Sequence, residues 1–329
     1  MRHIVFSLTI QEYANEKFTK THLNYLLVQK FVSQNLSRQG LTHHDGHIYE
    51  GTGLEQHSQI FQHDPKNAMS TINNVPLMPT HLFGEGIASY YVWADDENDP
   101  TTKRKEHRLI QLTWKNKRGF IYSLPSLNII KEFSYDTFTG EGWGVTFIPH
   151  RNEFYISDGS QYLSVWDATT LEKKAMKTVT VDRKEVVNGK HMIKSMQRHL
   201  INELEFVDFE TGGDGSTEDG IGGENVETCI NDESSTCSDP SSSPFSPTMR
   251  ILANIWYQDV IVSINPHTGK VEREYDFTDL YPHEIRDAGA DCLNGISITG
   301  ATNKDGEEGV ELWVTGKLWP NMYRVRLLQ

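Results

Sequence analysis

Five times along the chain a residue with a functional side chain is followed by a residue that is usually small, and then by aliphatics. The five segments are Gln39-Gly40-Leu41, Glu85-Gly86-Ile87, Trp143-Gly144-Val145, Asn202-Glu203-Leu204 and Asn294-Gly295-Ile296. Each is followed by a second β-like run, at 47–53, 109–114, 153–159, 251–256 and 310–317. A third run, rich in β-branched and aromatic residues, comes next, at 59–62, 119–123, 162–166, 260–264 and 322–327. In four copies a turn leads on to a fourth run. The clearest is Asn265-Pro266-His267-Thr268-Gly269-Lys270, loosely matched by Asp64-Pro65, Pro125-Ser126 and Asp167-Ala168-Thr169, and such turns join antiparallel strands. The repeating unit is therefore a four-stranded antiparallel meander. The last copy lacks its fourth strand, and Tyr25–Val32 (YLLVQKFV), which precedes the first copy, can supply that edge. The pattern predicts an all-β chain folded as a five-bladed β-propeller, residues 25–329, closed by an N-terminal strand and preceded by a tail, 1–24. Two β-sandwiches would show the turns without the recurrent polar-small-aliphatic step.

The spacing between the first residues of the copies is 46, 58, 59 and 92. Two intervals are lengthened by insertions, a charge-dense one at 94–108 and an acidic low-complexity one at 208–248. The second holds ten Asp or Glu and no Lys or Arg, so removing it leaves the rest of the chain at −4 out of a net −14. A nearly neutral remainder without basic clusters argues against a nucleic-acid partner, since phosphate contacts need grouped Lys and Arg. The composition of 208–248 predicts a solvated loop that cannot bury enough apolar surface to fold. No run approaches the ~18 apolar residues of a membrane helix. MRHIVFSLTI at the N-terminus is short, apolar and carries one Arg, but no small-residue cleavage site follows; a secretory leader is one reading and the compartment stays open. Cys229 and Cys237 could pair within the acidic loop, whereas Cys292 reads as a core thiol.

In a propeller the first strand of every blade lines the central channel, and the loops at its mouth build the site. Gln39, Glu85, Trp143, Asn202 and Asn294 therefore converge on one axis. Some of them, Asn294 above all, could simply bind trapped water. Glu85 is the one carboxylate at the leading position, between Gly84 and Gly86, which are expected to let a ligand backbone come close. Trp114, Trp143 and Trp256, at corresponding places, form an expected apolar box, and Lys317 ends an apolar strand beside Gly316 and Trp319. His43, His44, Asp45 and His47 could hold a metal, but Asp45-Gly46 fits a hairpin turn. Residues 214–225 lack the calcium-loop spacing, and no nucleophile elbow, P-loop or dinucleotide fingerprint is present.

The segments HIYEGTGL, FGEG, QLTW, GEGWGVTFIP, ISDGS, INELEF, ANIW, INPHTGKV, LNGI and VTGKLWP, in this order, resemble the plant-type glutaminyl-peptide cyclotransferases. That resemblance implies a five-bladed propeller that converts N-terminal glutamine of peptides and proteins to pyroglutamate and releases ammonia. It places the acid/base carboxylate on Glu85, an orienting amide on Asn202 and a lysine on Lys317. The aromatic pocket falls on Phe83, Trp114, Trp143 and Trp256, and Gln39 matches a substrate-side glutamine. Where the family has Phe, this chain has Ser37, so one pocket wall differs. The implied scheme needs no cofactor and no metal, and a monomer without a membrane span is expected. The rivals are a propeller that binds peptides without turning them over, and a metal-dependent propeller hydrolase or lyase, which would need carboxylates on several inner strands.

Overall fold

The computed structural model describes residues 25–32, 36–67, 69–95, 102–187, 190–210, 245–299 and 309–328. The tail 1–24, most of the acidic insertion and both Cys229 and Cys237 lie outside the described residues. Strand β1 (Tyr25–Val32) is followed by four strands of blade 1: β2 (Arg38–His44), β3 (His47–Thr52), β4 (Gln59–Asp64) and β5 (Ser70–Pro76). Blade 2 contains β6 (Gly84–Asp95), β7 (Lys103–Thr113), β8 (Arg118–Ser123) and β9 (Ile129–Ser134). Blade 3 contains β10 (Val145–Ile148), β11 (Glu153–Ser157), β12 (Tyr162–Asp167) and β13 (Lys173–Thr178). A hairpin of β14 (Thr180–Val187) and β15 (Lys190–Gln197) precedes blade 4, which is β16 (Ile201–Asp208), β17 (Met249–Ile255), β18 (Val260–Ile264) and β19 (Lys270–Asp276). Blade 5 has β20 (Leu293–Ile298), β21 (Val310–Gly316) and β22 (Asn321–Leu327).

The fifth blade takes β1 as its outer strand, antiparallel to β22, with Tyr25 opposite Leu327 and Val32 opposite Asn321. The ring is thus the expected five-bladed propeller, and the expected closing strand is the one that closes it. Its core is divided into five apolar layers, each between neighbouring blades. Phe31, Trp313 and Met322 of blade 5, for instance, pack on Leu41, Ile48 and Met69 of blade 1. Because both faces of a blade are covered, the middle strands are buried nearly throughout, which is why they read as unbroken β-branched and aromatic runs. The Asp45-Gly46 turn has both residues at positive φ (46° and 73°), the geometry of a two-residue hairpin turn rather than of a metal loop.

The small residue of the first three repeats has a physical cause. At the axis the inner strands touch backbone to backbone: a Cβ on Gly40 would stand 2.6 Å from the amide nitrogen of Ile87, and one on Gly144 would collide with the carbonyl of Asn202. Gly86 likewise faces the Trp143 carbonyl, to which it donates a hydrogen bond of 2.7 Å. This corrects the reading of the glycines beside Glu85. They admit the neighbouring inner strand and the Thr52 carbonyl, not a ligand backbone.

Two elements depart from the expected plan. The flanks of the 94–108 insertion are strand, for β6 and β7 continue paired out to Asp95 opposite Lys103. The hairpin β14–β15 is absent from the sequence pattern altogether. Its tie to the blade is two parallel pairs with β19, Thr180 with Lys270 and Val181 with Val271.

Candidate active site

The leading residues of the repeats all lie at one end of the inner strands. Gln39, Glu85 and Asn202 are the second residues of β2, β6 and β16, and Trp143 stands two residues ahead of β10. Trp114, Trp256 and Lys317 follow the last residues of β7, β17 and β21, the strands that return to the same end. Main-chain bonds fix these exits: Trp114 N–H donates to Phe83 O (3.0 Å), Trp256 N–H to Leu200 O (2.8 Å) and Lys317 N–H to Cys292 O (3.0 Å).

The aromatic residues form a continuous wall. Phe83 leans on Trp114 with ring centroids 5.5 Å apart, and Trp143 meets Trp256 edge-on at 5.1 Å. The two halves are joined by a carboxylate that the sequence reading passed over. Glu141 Oε2 accepts the indole N–H of Trp114 at 2.8 Å and that of Trp143 at 2.9 Å. Tyr257, also unforeseen, stacks on Trp256 at 4.1 Å, largely exposed and with its backbone at φ 59°. No repeat pattern could have found either. Glu141 does sit in the quoted GEGWG string, one glycine before Trp143.

Glu85 is 6% exposed. Burial pushes its carboxyl up to about 8; the Lys317 ammonium opposes the rise and the Glu141 carboxylate adds to it. Desolvation therefore outweighs the lysine, which sequence alone could not rank. Gln39 is buried, its Cγ and the Phe83 ring both crowding the space above Gly53, and its Oε1 has no hydrogen-bond partner among the described residues. Asn202 is buried beside Gly144, its carbonyl accepting the Ser157 hydroxyl at 2.5 Å. Ser37 offers no ring; its carbonyl accepts Gly53 N–H at 2.8 Å. Asn294, second in β20 at the same end, has its amide donating to Arg38 O at 2.9 Å, which stitches blade 5 to blade 1.

A second carboxylate also reaches the axis. Glu203 takes the place of the small residue in the fourth repeat, fully buried, and accepts Leu41 N–H at 2.6 Å on Oε1 and Ile296 N–H on Oε2. Burial holds it well above the usual carboxylate range. Glu205, further along β16, accepts Ile298 N–H at 2.8 Å and lines a separate cavity of about 390 Å³ at the opposite end of the inner strands. Glu85 is thus not the sole inner-strand acid, but Glu203 and Glu205 bond the backbone of other blades. Among the described residues no three His, Cys, Asp or Glu side chains gather as a metal site, and no helix is long and apolar enough to cross a membrane.

The sequence profile of the glutamine cyclotransferase family matches residues 3–211 and 247–327. The chain belongs to that family. The stretch that this glutamine cyclotransferase profile passes over lies within the acidic insertion. The chain is 24% identical over 286 residues to a glutaminyl-peptide cyclotransferase of Arabidopsis thaliana, an alignment covering 86% of this chain and 64% of the relative. The fold of the crystallised Myxococcus xanthus glutaminyl cyclase is similar, with a TM-score of 0.58 at 23% identity, over 93% of this chain and 97% of the other.

Proposed function

We propose that this protein cyclises the N-terminal glutamine of peptides to pyroglutamate, with Glu85 as the proton shuttle. The reading rests on family membership and on one observation above all: a buried carboxyl pushed up to about 8 by desolvation, with an ammonium in electrostatic reach. A carboxyl in that range can both take and return a proton near neutral pH. In the reaction the neutral α-amine attacks the side-chain amide carbon, and the new N–C bond forms as the amine proton passes to Glu85. Glu85 then returns the proton to the amide nitrogen, the old C–N bond breaks and ammonia leaves. Nothing else is consumed.

Lys317 and Asn202 are the donors for the amide oxygen as it gathers charge. Gln39 Oε1 is a ready acceptor for the substrate amine. Phe83, Trp114, Trp143 and Trp256 hold the folded conformer that ring closure requires and keep water out. The test is incubation with a Gln-initiated dipeptide, following ammonia and the loss of one NH₃ from the peptide mass. Binding without ammonia would overturn the proposal and leave a peptide-binding propeller.

A further inference from the structure

We propose that Glu141 is a positioning residue for this reaction, one carboxylate oxygen holding the indole N–H of both Trp114 and Trp143 so that the two halves of the aromatic wall are set as a unit. The inference rests on the cyclase reading above. Trp114 leaves blade 2 and Trp143 enters blade 3; a main-chain bond from Gly142 N–H to Trp114 O (2.9 Å) ties the two backbones but does not set one ring against the other. What joins the rings is the shared acceptor, at 2.8 and 2.9 Å. A charged acceptor makes such bonds roughly twice as strong as neutral ones.

The loop that carries Glu141 is itself stapled. Asp158 Oδ2 accepts Thr139 N–H at 3.0 Å, and the Thr139 hydroxyl donates to Asp158 O at 3.0 Å. Thr139 Oγ1 in turn accepts Glu141 N–H at 3.3 Å, while the Thr137 hydroxyl donates to Glu141 O at 2.6 Å. The carboxylate thus comes from a fixed platform rather than a wandering side chain. From the solvent side Lys115 approaches Oε1 at 3.7 Å, and the same ammonium lies 3.7 Å above the Trp114 ring. Glu141 Oε2 is taken up by the two indoles. Its action on the chemistry runs through the rings, and through its negative charge facing Glu85 together with the Lys317 ammonium and the Tyr135 phenol.

Two variants separate geometry from charge, with wild type as control; a wild type that releases no ammonia would fail the cyclase reading and not this one. Glu141→Ala frees both indoles. It should move the indole N–H NMR resonances of Trp114 and Trp143, leave the remaining five Trp in place, raise KM and lower kcat/KM by about 100-fold at most. Glu141→Gln keeps an oxygen that can accept both indoles but loses the charge. Both resonances and KM should stay near wild type while the acidic limb of the kcat/KM profile moves to lower pH. The proposal is overturned if the two resonances stay put in Glu141→Ala, if they move without a change in kcat/KM, or if Glu141→Gln loses as much as Glu141→Ala.

Discussion

Glu85 sits where the chain can neither hydrate it nor cancel it, and that tension sets its expected behaviour. Glu85→Gln keeps the size of the side chain but cannot accept a proton. It should melt close to wild type, still bind a Gln-initiated peptide, and lose about 10² to 10⁴ in turnover; retention of more than about a tenth would move the shuttle to another group. Lys317 gives a second handle. Because its ammonium lowers the Glu85 value, Lys317→Met should push that value above 8. Glu85 must be ionised to take the amine proton, so the acidic limb of kcat/KM should shift to higher pH as the rate falls. Rate-pH profiles of the two enzymes check the direction. The repeat made Glu85, Trp143 and Asn202 legible because leading residues of inner strands share one end. Glu141 was not legible, since its meaning depends on an indole from another blade. Glu203 stands where the other repeats have glycine, and nothing in the repeat foretells that its carboxylate bonds Leu41 and Ile296 of two other blades.

Among the elements, the first three strands of each blade were readable to within a few residues, the outer reaches of β6 and β7 excepted, because burial on both faces demands continuous aliphatic and aromatic character. The fourth strands are mostly exposed; β9 and β13 read as charged, loosely patterned sequence. The hairpin β14–β15 carries that to the limit, with β15 exposed along its whole length, and left no hydrophobic period to detect. It touches β19 through two residue pairs and an exposed Lys270–Asp182 ion pair at 2.8 Å, a contact worth about 1 kcal/mol or less. Excising 182–195 in favour of a short Gly-Ser turn should therefore leave the fold intact and cyclase activity within a few-fold, as measured by circular dichroism, melting temperature and ammonia release. Collapse of the fold would mean that the hairpin braces blade 4.

For the whole molecule the decisive position is Glu203, whose carboxyl bonds the first and fifth blades from the fourth. The native chain retains its proton above the ordinary carboxylate range, while the unfolded chain releases it near 4.3. The native state then binds more protons than the unfolded one, so this group's contribution to stability falls as pH rises through that interval and is constant below it. Glu203→Gln removes the titration and forfeits one N–H acceptor, a loss of roughly 1 kcal/mol. Urea melts across pH 5 to 9 should show the variant weaker at low pH and the gap narrowing as pH rises. A gap that widens would mean that Glu203 is ionised in the ring.

The pairing of β1 with β22 also bears on how the protein is made. Tyr25–Val32 is translated about 290 residues ahead of its partner Asn321–Leu327. At about 5 to 20 residues per second, the first strand waits on the order of 15 to 60 s with an open edge. Blades can form in sequence during translation, but the circle cannot be sealed before the last strand emerges. Until then the nascent ring is an unclosed arc in which the edge of β1 that pairs with β22 stays open.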